Sequence, residues 1–156
     1  MAAAAVTGLS SMASAESGSE PLAADAEMPS AVEDFNYPGA DRILADEGIR
    51  LKRGDGHIQL AECGQTADQI TVYTVADTSA GRKGTYCFQA TAKSGYLTLE
   101  LPRVFALETS TNPISADLTA EGQTQTVNMT EDDFKSVGEG TVGGAQSVLV
   151  EIRVTG

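Results

Sequence analysis

The chain has one histidine, His57, and it stands two residues after Asp55. That spacing could set a carboxylate beside an imidazole for general-base work. Acyl transfer would also need an activated nucleophile and an oxyanion site, and no G-x-S-x-G or equivalent frames any serine. His57 is therefore expected to be structural and the chain non-enzymatic, with no catalytic residue. The same stretch spells Arg53-Gly54-Asp55, the tripeptide read by animal integrins. Gly54-Asp55-Gly56 is also what a tight backbone turn requires, and the turn is the expectation.

Two cysteines, Cys63 and Cys87, complete the short inventory of reactive side chains. A Cys/Cys zinc site would lack a fourth soft ligand beside His57, so neither metal nor cofactor is expected. A Cys63–Cys87 disulfide is expected instead, worth about 3 kcal/mol in the chain-entropy picture. Inside that loop Asp77 to Gly84 joins two strand-like runs, with Arg82-Lys83 near its tip. Many inhibitors present a basic residue to trypsin-like proteases on such a braced loop, which makes Arg82 and Lys83 candidate inhibitor residues. Glu131-Asp132-Asp133 lacks the spaced oxygens of a calcium loop and, after Thr130, reads as the cap and first turn of a helix. Asn128-Met129-Thr130 matches a glycosylation sequon. With no Trp and four Tyr, no aromatic platform for sugar rings is evident.

Charge narrows the class of partner. Ten basic and 22 acidic residues leave a net charge of −12, which disfavours nucleic acid and anionic membrane. An alanine-rich apolar run from Ala2 is followed by Ala13-Ser14-Ala15 before Glu16, the small-x-small pattern of a signal-peptide cleavage site. The first Lys or Arg is Arg42, so residues 1–15 read as the remnant of a signal that starts upstream or was trimmed. No run approaches the roughly 20 apolar residues of a membrane span. A soluble, secreted, extracellular protein is expected.

Residues 16–38 form an acidic arm: Glu16, Glu20, Asp25, Glu27, Glu33 and Asp34 occur with no basic residue. Its composition reads as disordered on its own, yet Leu22, Met28, Val32, Phe35 and Tyr37 are spaced as anchors for a partner. Extended, the arm would reach on the order of 75 Å.

A β domain is expected over 39–156. Asp41–Glu47 suits two helical turns ended by Gly48. Ile49 and Leu51, mirrored by Ile58 and Leu60 across the Gly54–Gly56 turn, predict a hairpin over 49–62. Leu97, Leu99 and Leu101 give the cleanest period of two, ended by Pro102, and Val104–Leu107 reads as a buried strand. Ile114–Leu118 and Thr124–Met129 predict a hairpin through Glu121-Gly122. Four glycines, 138, 140, 143 and 144, predict a flexible loop. Val148, Val150, Ile152 and Val154 predict a closing strand. About eight short strands with no long helix mean an all-β antiparallel sandwich or barrel.

Three stretches, Asn36-Tyr37-Pro38-Gly39-Ala40-Asp41-Arg42-Ile43-Leu44, Leu51 to Ile58 and Ser94 to Glu100, together with the closing Leu149 to Arg153, resemble small secreted proteins of streptomycetes of the umbrella toxin particle adaptor type. The resemblance runs over about residues 36–156. It implies a non-enzymatic adaptor in an extracellular, antibacterial toxin complex. Its partners would be a large repeat-bearing toxin and a lectin-like subunit of trypsin-like fold, with the N-terminal arm in that subunit's cleft. A secreted serine-protease inhibitor and a cell-surface or sugar-binding module are the alternatives.

Overall fold

A computed structural model describes residues 35–156. The first regular element is helix α1 (Ala40–Glu47), set between two left-handed glycines, Gly39 and Gly48. The Gly48 amide donates to the Leu44 carbonyl and closes the last turn, the stop expected of that glycine.

Ten strands follow. They are β1 (Arg50–Gly54), β2 (Ile58–Ala61), β3 (Gln69–Thr74), β4 (Thr85–Ala90) and β5 (Gly95–Pro102). The second half supplies β6 (Val104–Thr109), β7 (Ile114–Ala120), β8 (Gln123–Met129), β9 (Asp133–Ser136) and β10 (Val148–Val154). They form two five-stranded sheets, β1-β5-β10-β7-β8 and β2-β4-β3-β6-β9. Every pairing is antiparallel, so the expected sandwich is the architecture. The core lies between the sheets, where Leu97, Leu99 and Leu101 of β5 meet Ile70, Val72, Phe88 and Leu107. All seven are at most 1 % exposed.

Four local expectations are corrected. Strands β1 and β2 are not a hairpin: β1 pairs with β5 and β2 with β4, in different sheets. Gly54-Asp55-Gly56 is a corner between the layers. The Asp55 carboxylate holds it by accepting from the His57 amide at 3.1 Å and the Tyr96 amide at 3.3 Å. Thr130–Asp133 makes no helical turn. Asp132 has φ 52°, its amide donates to the Ser110 carbonyl at 2.6 Å, and β9 begins at Asp133 opposite Thr109. The outward backbone groups of β6 need partners, and that demand overrides the cap signal.

The closing strand does not alternate throughout. Its register slips against both neighbours between Leu149 and Glu151. This bulge buries Leu149, Ile152 and Val154 and turns Val148 and Val150 towards the outside. The glycine loop is a packed turn. A β-carbon on Gly140 would land on the Phe105 carbonyl oxygen, and one on Gly144 would land on that of Gly138. Glycine is there for close backbone approach.

The body also begins earlier than Gly39. Asn36 bridges Arg53 in antiparallel fashion, the Tyr37 amide donates to the Lys52 carbonyl at 2.9 Å, and the Gly54 amide donates to the Phe35 carbonyl at 2.9 Å. Phe35–Tyr37 thus lies along the outer edge of β1.

Candidate functional site

The cystine sits where β2 meets β4. Cys87 on β4 is buried, Cys63 lies just beyond β2, and their α-carbons are 5.1 Å apart. The expected Cys63–Cys87 bond is formed, and it fastens the end of the edge strand β2 to its neighbour.

His57 and Asp55 do come together, with Nδ1 3.4 Å from the carboxylate, but both serve the corner. The imidazole Nδ1 also meets the Ser94 carbonyl at 3.0 Å, and the Asp55 oxygens are committed to backbone amides. The same commitment ties down the Arg53-Gly54-Asp55 tripeptide, whose carboxylate faces the β5 backbone.

The Asp77–Gly84 segment is shaped by its own side chains. Asp77 accepts from the Ser79 and Ala80 amides and the Ser79 hydroxyl, and that hydroxyl holds its carboxyl below the ordinary range. Arg82 folds back onto the segment. Its side chain is 10 % exposed, its Nε donates to the Val75 carbonyl at 2.8 Å, and it pairs with Asp77. Lys83 pairs with Glu47 at the end of α1, which raises the lysine. Of the two candidate inhibitor residues, Arg82 is therefore folded back onto its own segment, while the Lys83 side chain is 54 % exposed.

Glu131, Asp132 and Asp133 are spread along a turn, where Asp133 accepts from the Thr130 amide at 3.3 Å and lies 3.6 Å from Lys135. Asn128 is exposed on β8. Among the described residues no His, Cys, Asp and Glu cluster is arranged to hold a metal ion, and no helix is long and apolar enough to cross a membrane. Of the arm anchors, Phe35 is 39 % exposed at the root and Tyr37 packs against the core. Leu22, Met28 and Val32 lie outside the described residues.

Two surfaces escaped the sequence. On the outer face of the second sheet Tyr73, Phe105 and Phe134 gather, with ring centroids 6.3 Å and 6.1 Å from Tyr73. Phe134 is 57 % exposed, and the Tyr73 hydroxyl donates to Glu108 at 2.6 Å, which raises the tyrosine. Outward positions of Tyr73 and Phe105 follow from the buried residues flanking them, but Phe134 was hidden by reading its strand as a helix. The second surface is an apolar cleft of about 570 Å³ beside α1, formed by Leu44, Pro102, Val148 and Val150. Arg50 and Glu100 stand at this cleft, and the Lys52 ammonium bonds Glu100 and lowers its carboxyl.

Compared with known proteins, the chain matches no family model, and no curated protein sequence matches it significantly.

Proposed function

We propose that this protein is a secreted, non-catalytic adaptor that joins two other extracellular proteins, one through its N-terminal arm and one through its β body. The observation that carries the reading is the rooting of the arm. Phe35–Tyr37, near the end of the acidic stretch, runs as an added strand on β1, so this stretch joins the body at a sheet edge. A peptide so rooted can fill a groove or extend a sheet, with Leu22, Met28 and Val32 as anchors and its acids favouring a basic rim. The disulfide fits an oxidising compartment. The Tyr73–Phe105–Phe134 cluster, with Phe134 exposed beside two part-buried rings, suits the second contact, since aromatic anchors dominate protein interfaces.

The resemblance to umbrella toxin adaptors names the partners to look for: a lectin-like subunit on the arm and a large repeat-bearing toxin on the body. The test is recovery of the tagged protein from the supernatant of its native host, with co-purifying proteins identified by mass spectrometry. Full-length protein should bring both partners. Deleting residues 16–34 should release one and keep the other, and Phe134→Ser should do the converse. A full-length protein that runs alone in that supernatant overturns the reading.

A further inference from the structure

A β-sandwich of two open sheets has four edges, and exposed edges recruit strands from other molecules unless they are blunted. Three of the four are dealt with here. The edge of β1 is covered by Phe35–Tyr37. Strand β2 has four residues, and its Leu60 amide donates to the Tyr37 hydroxyl at 2.9 Å. Strand β9 also has four residues.

Strand β8 is different. It has seven residues, Gln123 to Met129, with no charge, no proline and an unbroken register against β7. The turn at Glu121 and Gly122, both at positive φ, makes Ala120 and Gln123 the first bonded pair. The backbones of Gln123, Gln125, Val127 and Met129 therefore bond β7, while those of Thr124, Thr126 and Asn128 point away. Lys135 takes the outward Asn128 carbonyl at 2.7 Å. Among the described residues nothing bonds the outward amides and carbonyls of Thr124 and Thr126.

We propose that two copies of this chain pair antiparallel through β8, about a two-fold axis at Gln125. Lys135 closes the edge at Asn128, so the open stretch is Thr124 to Thr126, and its midpoint is Gln125. About that axis each Thr124 exchanges both backbone bonds with Thr126 of the other copy, and the same open groups serve twice. Charge favours this edge as the meeting place. Two chains of net charge −12 repel, but β8 itself is neutral. At either end of the paired strands the Glu121 turn of one copy comes beside Lys135 of the other. The result is a continuous ten-stranded sheet that carries two arms, a gain in avidity for any arm-binding partner.

Sedimentation velocity over a concentration series tests the pairing on the purified full chain. The mass should rise from one chain towards two, while Thr126→Pro, which loses an outward amide but no ladder bond to β7, should stay at one. Gln125→Cys supplies a positional readout. Facing non-bonded residues lie at disulfide distance, so mild oxidation should link two copies through that position. Gln123→Cys should not link, because Gln123 would face Val127. A native chain that remains monomeric throughout overturns the proposal, even if another protein's strand is then found on β8. A Thr126→Pro variant that dimerises like the native chain, or a Gln123→Cys variant that links as fast as Gln125→Cys, also overturns it. None of these outcomes bears on whether the arm binds a second protein.

Discussion

The Tyr37 hydroxyl accepts the Leu60 amide at 2.9 Å while the Tyr37 amide donates to the Lys52 carbonyl at the same distance. One residue therefore closes an edge in each sheet and joins the segment before α1 to both layers. Tyr37→Phe removes the acceptor and leaves a half-buried amide unpaired. We predict a loss of about 1 kcal/mol, read as a fall of about 4 °C in Tm. A variant as stable as the native protein would show that water replaces the hydroxyl without cost.

Reduction of the cystine is expected to cost about 3 kcal/mol, because the broken loop regains freedom in the unfolded chain. Denaturant titrations of the oxidised and reduced protein measure it, and Cys63→Ser with Cys87→Ser should match the reduced form. Unreduced native protein should show no titratable thiol, since both cysteines are in the bond.

Arg103 and Glu139 make a paired fork at the corner where the chain passes from β5 to β6, with both N–O distances 2.7 Å. The guanidinium holds the Glu139 carboxyl below the ordinary range. A depressed folded value means the pair's contribution is present above the unfolded carboxylate value, about 4.3, and is lost as pH falls through the folded value. Glu139→Gln should therefore lower Tm at pH 7, and the difference from the native protein should vanish in acid. A gap that stayed constant with pH would assign the effect to packing alone.

Arg103 also has φ 61°. Arg103→Gly loses the ion pair but relaxes the backbone, while Arg103→Ala loses the pair and keeps the strain. Alanine should be the worse substitution by about 1 kcal/mol, measured by denaturant midpoint.

Gly140→Ala should be more damaging than any surface change. Its β-carbon would collide with the Phe105 carbonyl, a backbone atom that cannot yield without moving β6. We expect a loss of about 3 kcal/mol or poor soluble expression. Gly143 is the control. Nothing lies within 4 Å of a β-carbon there, so Gly143→Ala should cost only the left-handed φ, about 1 kcal/mol.

Local signals were enough where local physics decides. Gly48 stops α1, Glu121-Gly122 turns β7 into β8, Leu97, Leu99 and Leu101 face the core, and the two cysteines find each other. Each follows from one residue's backbone freedom, a two-residue period, or an even count of thiols. Strand partnership is not local. Ile49, Leu51, Ile58 and Leu60 point inward whether β1 and β2 pair together or lie in opposite sheets, so the pattern cannot tell a hairpin from a corner. Distant partners decide it: β5 takes β1, β4 takes β2, and Tyr96, more than forty residues away, gives its amide to Asp55 at the corner. Likewise the bulge at Val150, the strand at Asp133 and the gathering of Tyr73, Phe105 and Phe134 depend on which strands lie alongside. The sequence by itself determined an all-β chain with a cystine, because composition and period suffice for that. The tertiary structure decided which edge is covered and which is open, since backbone groups are satisfied or exposed only once every strand has its neighbours.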